Sequence, residues 1–262
     1  MAKKDIGKDL LAKERRNKIL ELMQEDGSAR VKQLSSLFKV SEPTIRQDLE
    51  KLELDGFVTR EHGGAFLNTV SQQVSNLTLQ HQENLDKKAL IARRAAEFVA
   101  PGDRIILDSG STMTELAKCL ANVEDLTVIT NALNIALVMG ANPTCELLVT
   151  GGEFKAPTLS LTGDRAALFF SNVYVDKLFL ATGGVSPAFE LTYPGFSDIV
   201  VKKAMINVAR ETYLLADSSK FGKVSFASLG SMECVQYLIT DSGISSSIAE
   251  RIAGLGVKVI IA

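Results

Sequence analysis

The 262-residue sequence has no tryptophan, two histidines, three cysteines and six prolines, and only 6% of it is aromatic. Each scarcity excludes something. His62 and His81 stand apart with no Cys/His cluster near them, so a transition-metal site is not expected. Cys119, Cys145 and Cys234 are odd in number, widely spaced and set in apolar surroundings. They read as buried small residues rather than as a disulfide framework or a C-x-x-C clip. No run of about 18 apolar residues occurs, and the basic start M-A-K-K-D leads into no apolar signal core. The expectation is a soluble, cytoplasmic protein with no membrane contact. Charge of one sign is also lacking: the net charge of -2 argues against indiscriminate coating of nucleic acid, yet leaves room for a local basic face. Neither G-x-x-x-x-G-K-[ST] nor G-x-G-x-x-G is present, so nucleotide hydrolysis and a dinucleotide cofactor lack support, and no cofactor is expected.

What remains is an ordinary globular composition, 46% hydrophobic and 23% charged, long enough for a small domain followed by a larger one. Near the start, Ile19, Leu20 and Met23 share one helical face in a stretch over 13–26 that ends at Gly27. Val31, Leu34, Leu37 and Phe38 repeat the pattern in a shorter helix. A tight turn then leads into S-E-P-T-I-R-Q-D-L-E-K-L-E, where Ser41 can cap a third helix and Glu42 and Pro43 suit its first turn. Ile45, Leu49 and Leu52 form its buried stripe, which turns Arg46 and Gln47 outward. In isolation that is a solvated face.

The neighbours change the reading. After Asp55-Gly56, F-V-T-R-E-H-G-G-A-F reads as a strand and a sharp turn, a small β wing behind a helix-turn-helix. Such a helix presents its first turns to a major groove. Arginine pairs bidentately with guanine and glutamine with adenine, which places Arg46 and Gln47 at base edges. Ser41, Thr44, Lys51 and Arg60, with His62 in the wing turn, complete the DNA-facing set, Thr44, Lys51 and Arg60 being better suited to phosphates.

The spacing predicts a winged helix-turn-helix over 1–67, a polar linker over 68–86, and a larger domain over 87–262. In the last part, short apolar runs alternate with helical patterns: R-I-I-L-D, L-T-V-I-T, E-L-L-V-T, K-L-F-L-A, T-Y-L-L-A, Y-L-I-T and V-K-V-I-I. That alternation predicts an α/β domain with a mainly parallel sheet. Ligands of such sheets collect where strand carboxyl ends meet helix N-termini. Here those ends carry Asp108, Ser109, Gly110, Ser111 and Thr112, then Thr130 and Asn131, then Gly152, then D-S-S-K-F-G with Lys220. Hydroxyls, exposed backbone amides and one ammonium suit an anion carrying a polyhydroxy body. Taken singly, Ser-Gly-Ser-Thr is more often just a turn with a cap, and Asp217-Ser218 reads likewise as capping.

The helix-turn-helix with T-I-R-Q-D-L, the wing R-E-H-G-G-A, and D-S-G-S-T, T-N, G-G, D-S-S-K-F-G and I-T-D in that order resemble the DeoR family of bacterial transcriptional regulators across nearly the whole chain. The resemblance implies a sensor domain similar to ribose-5-phosphate isomerase, and a repressor of a carbohydrate operon released from operator DNA by a phosphorylated sugar. The chain departs from the family pattern at Gln47, where arginine is common, and at Glu190, where glycine often precedes the Leu-Thr pair. A sugar-phosphate isomerase with a DNA-binding domain is the alternative, with Glu190 as its candidate base. One recognition helix spans few base pairs, so a homodimer or homotetramer is expected.

Overall fold

The computed structural model describes residues 12–26, 28–54, 57–61, 63–67, 83–155 and 158–262. The chain divides into two compact units, Met1–Leu79 and Gln80–Ala262. Most of the expected linker, residues 68–82, lies outside the described residues, as does His62.

In the first unit the order is α1 (Ala12–Asp26), β1 (Ser28–Arg30), α2 (Val31–Phe38), α3 (Glu42–Leu54), β2 (Val58–Glu61) and β3 (Gly64–Leu67). Ile19, Leu20 and Met23 of α1, Val31, Leu34 and Phe38 of α2, and Ile45, Leu49 and Leu52 of α3 are buried together with Val58 and Ala65. Three apolar stripes thus close on one small core, as their helical spacing requires. Lys39 ends α2 in the left-handed region at φ 55° and donates its N–H to the Ser35 carbonyl. The wing is a three-stranded antiparallel sheet ordered β1-β3-β2. The strand β1 is not apparent in the sequence, because three residues are too few to show a period.

The second unit contains α4 (Leu85–Ala96), β4 (Arg104–Leu107), α5 (Ser111–Leu120), β5 (Thr127–Thr130), α6 (Leu133–Met139), β6 (Glu146–Val149), β7 (Glu153–Lys155), β8 (Ser160–Thr162), α7 (Asp164–Leu168), β9 (Val175–Leu180), β10 (Gly184–Val185), β11 (Glu190–Tyr193), α8 (Phe196–Val208), β12 (Ala209–Leu215), β13 (Ala227–Ser231), β14 (Tyr237–Thr240), α9 (Ser246–Gly254) and β15 (Lys258–Ile261). The seven apolar runs seen in the sequence form one parallel sheet, ordered β15-β14-β12-β9-β4-β5-β6. Alternate residues enter different cores: Ile105, Leu107, Phe179 and Leu215 pack with α4, α5 and α6, while Ile106, Leu178, Leu180 and Leu214 pack with α8 and α9. Burial on both faces is why the interior strands read as continuous apolar runs, while the edge strands β6 and β15 stay partly exposed.

The strand order fixes where a ligand belongs. From β4 the sheet grows outward through β5 and β6; from β9 it grows the other way through β12, β14 and β15. The order reverses between β4 and β9, and the crevice beyond their carboxyl ends is the switch point of the sheet. Two smaller pieces, the hairpin β7-β8 and the antiparallel sheet β10-β11-β13, were not expected from the sequence.

Candidate functional sites

The first site is α3 with the wing. The Ser41 hydroxyl accepts the Thr44 N–H at 3.3 Å, the N-terminal cap its position calls for, and lies 2.8 Å from the Thr44 hydroxyl. Arg46 and Gln47 are exposed, as is Lys51, and Arg46 reaches back one turn to Glu42 at 3.5 Å. Arg60, expected at a phosphate, is exposed and bonded to α3. Its backbone N–H donates to Glu53 Oε1 at 2.9 Å and its Nε to Glu53 Oε2 at 2.6 Å, which clips β2 to the end of the helix. Those bonds, the backbone one foremost, hold the Glu53 carboxyl below its ordinary pKa. Sequence reasoning also passed over Asp48, a buried carboxylate on α3 bonded to Arg15 and Arg16 of α1.

The second site is a cavity of about 330 Å³ at the crevice between β4 and β9. It is lined by the whole loop Asp108 to Thr112, by Ala181 to Gly183 after β9, and by Asp217, Ser219 and Lys220 after β12. Gly110, at φ 121°, adopts a backbone conformation open to glycine and turns the loop into the N-terminus of α5, where a helix has unsatisfied amides. The floor is polar and closed. Asp108 is fully buried and accepts the Ser109 N–H at 2.6 Å and the Ala181 N–H at 3.1 Å. It also accepts a hydrogen bond from the Lys202 ammonium, itself buried and 3.4 Å from the Ser109 hydroxyl. The Tyr193 hydroxyl donates to the Ala181 carbonyl at 2.7 Å, and burial first, then Asp108, raises its pKa well above the ordinary value, so it stays protonated.

Towards α4 the cavity carries charges of both signs, Glu83 and Asp217 beside two lysines. Lys88 and Lys220 both line it, and burial, reinforced by Lys220, lowers the pKa of the Lys88 ammonium. Beside them Asp217 uses Oδ1 to accept from the Ser219 N–H and hydroxyl, at 3.0 and 2.5 Å, and from Asn84 Nδ2 at 3.4 Å. Its Oδ2 is buried and has no protein partner. Two ammonium groups, helix amides and a spare carboxylate oxygen therefore meet in one polar cavity. Such a set accepts an anion at one end and donates to no one at the other, where it needs hydroxyl donors.

Three residues expected here lie elsewhere. Thr130 and Asn131 end β5, one strand away from the crevice, beneath the β7-β8 hairpin. The Thr130 hydroxyl accepts the Ala132 N–H at 3.1 Å, while the Asn131 carbonyl and side-chain amide are bonded to Leu161 at 2.7 and 3.0 Å. Gly152 follows β6, two strands out; a Cβ there would lie 2.7 Å from the Thr162 carbonyl oxygen, so its role is close packing of the hairpin. Glu190 begins β11 and is not among the lining residues. Lys88, Tyr193 and Lys202 were missed. For Lys202 a signal existed: a lysine on the buried stripe of α8 with Ile199 and Met205 requires a partner.

Together these features define a transcriptional regulator with a DNA-binding head and a sensor unit. The family model for the DeoR-like helix-turn-helix domain matches residues 15–71, and that for the DeoR C terminal sensor domain matches residues 83–242. The chain belongs to the DeoR family. It is 37% identical over 257 residues to the HTH-type transcriptional regulator YulB of Bacillus subtilis, covering 95% of this chain and 96% of that protein. It is 34% identical over 231 residues to the lactose phosphotransferase system repressor of Streptococcus mutans, covering 87% and 91%. Among solved structures, a ribose 5-phosphate isomerase A from Methanocaldococcus jannaschii is 20% identical, with a TM-score of 0.39 over 53% of this chain and 55% of that one.

Proposed function

We propose that this regulator represses a carbohydrate-metabolism operon in the cytoplasm and is released from its operator by a phosphorylated sugar bound in the β4–β9 cavity. The observation that carries the reading is the convergence of Lys88, Lys220 and the Gly110–Thr112 loop on one side of that cavity with the unpartnered Asp217 Oδ2. The phosphate belongs with the ammonium groups and helix amides; the sugar hydroxyls belong with Asp217 and the loop hydroxyls. The names of relatives such as the lactose phosphotransferase system repressor agree with a sugar-linked role. Two copies act together, because one recognition helix spans only part of an operator.

Turnover of the sugar is the competing reading. An isomerase needs a carboxylate within reach of the substrate carbon. Asp108 is bonded to Lys202 and Asp198 to Lys155, and Glu190, the expected base, is not on the cavity, which leaves Asp217 and Glu83 as the lining carboxylates without a lysine partner of this kind among the described residues. The test is a thermal-shift panel of sugar phosphates beside the same sugars unphosphorylated, with each incubated sample then analysed for product. Stabilisation confined to phosphorylated members, with no product, is expected. Equal response to both forms, or isomerised product, would overturn the reading.

A further inference from the structure

We propose that Asp48 is a positioning residue for operator recognition: it fixes the angle at which α3 presents Arg46 and Gln47, while touching no DNA itself. The side chain sits on the inner side of α3, with only 3% of the residue exposed, between the apolar positions Ile45, Leu49 and Leu52. Its Oδ2 accepts from Arg15 Nε at 2.5 Å and its Oδ1 from Arg16 Nη1 at 3.4 Å. The two arginine side chains are 11% and 26% exposed, so the trio forms the seam between α1 and α3.

Stability alone does not account for this choice. A buried ion pair gains little over a well-packed apolar seam, because desolvating the charges offsets their attraction. What the trio adds is geometry, since the two carboxylate oxygens are each held by a directional N–H donor of a different arginine, Arg15 and Arg16, whereas apolar side chains slide. The position matters as much. Asp48 is one and two residues beyond Gln47 and Arg46 on the same helix, so any rotation of α3 allowed by its loss displaces both base-reading side chains. A direct DNA role is excluded by burial and by sign, since a carboxylate repels phosphate.

The sign also supplies a discriminating readout. Asp48→Asn removes a negative charge beside two arginines and so strengthens the sequence-independent attraction to DNA. A positioning role therefore predicts opposite movements. Binding to an operator duplex, selected by the wild-type protein from a random library, falls about tenfold or more, while binding to random duplex of equal length is unchanged or tighter. A merely structural role moves both downward together, in proportion to the folded fraction.

The experiment measures both affinities at one salt concentration for the full-length wild type, Asp48→Asn and Arg15→Lys, with helicity checked by circular dichroism. Arg15→Lys keeps the charge but loses the fixed Nε–H donor, and decides the matter should Asp48→Asn fail to fold. A fall in the operator-to-random ratio in the folded variants supports the proposal; an unchanged ratio overturns it. The inference rests on Arg46 and Gln47 reading base edges, so Arg46→Ala is run alongside. Loss of the ratio in Arg46→Ala but not in Asp48→Asn sinks the positioning role alone; no loss in Arg46→Ala sinks the reading beneath it.

Discussion

Lys220→Ala separates sensing from DNA binding, and its size follows from the cavity. A charge-assisted hydrogen bond contributes about 1.5–3 kcal/mol, which corresponds to a roughly 10- to 150-fold loss of affinity for a sugar phosphate. The neighbour moves the expectation to the lower end. Lys88 lines the same cavity, so with Lys220 removed it still holds part of the phosphate. About tenfold is expected for the single change. The double change Lys88→Gln with Lys220→Ala then loses more than the sum of the singles, because neither lysine is left to compensate. Calorimetric titration with the best sugar phosphate measures this, and an operator titration without ligand is expected to be unchanged, since Lys220 belongs to the sensor unit. Wild-type affinity for the sugar phosphate in Lys220→Ala would refute the reasoning, as would additivity in the double mutant.

Other consequences are as concrete. Lys202→Met leaves Asp108 buried without its cation, which costs about 3–5 kcal/mol and lowers the melting temperature of a unit this size by roughly 6–20 °C; adding Asp108→Asn is expected to restore much of the loss. Ser41→Ala removes the cap of α3 and is expected to cost about 0.5–2 kcal/mol in a denaturant titration, with weaker operator binding as a result. The Glu53–Arg60 clip depends on a carboxyl whose folded pKa is lowered below the ordinary 4.5. Its contribution is full above that unfolded value and fades as pH falls through the lower folded one. Acid melts of wild type and Glu53→Gln should therefore differ at neutral pH and converge at the acid end; parallel curves throughout would contradict the clip.

The interior of the sheet was legible because burial on both faces leaves apolar runs that no helix period explains, and all seven runs became strands of the sheet. The β10-β11-β13 sheet was not, since A-S-L-G-S and a two-residue strand carry no alternation. In the site, Asp108 to Thr112 and Lys220 were readable as strand-end chemistry. Thr130, Asn131 and Gly152 carry the same chemistry, but composition does not reveal strand order. Only the reversal between β4 and β9 distinguishes ends that open on the crevice from ends roofed by the β7-β8 hairpin. The Asp108–Lys202 pair joins residues 94 positions apart, a separation that no local pattern encodes. Arg60 fits either a phosphate or a carboxylate, and its sequence gave no sign that Glu53, seven residues earlier, would claim it.

In the proposed function the cavity and the recognition helix are coupled, so that a phosphorylated sugar changes the affinity for DNA. A ligand shifts this equilibrium only by binding the DNA-free state more tightly. The most direct measurement is fluorescence anisotropy of a labelled operator duplex titrated with full-length protein, with and without a saturating sugar phosphate that stabilises the protein in the thermal panel. The account predicts operator affinity at least about fivefold weaker with the phosphorylated sugar and unchanged with its unphosphorylated counterpart. Identical operator affinity with and without a sugar phosphate known to be bound would contradict it.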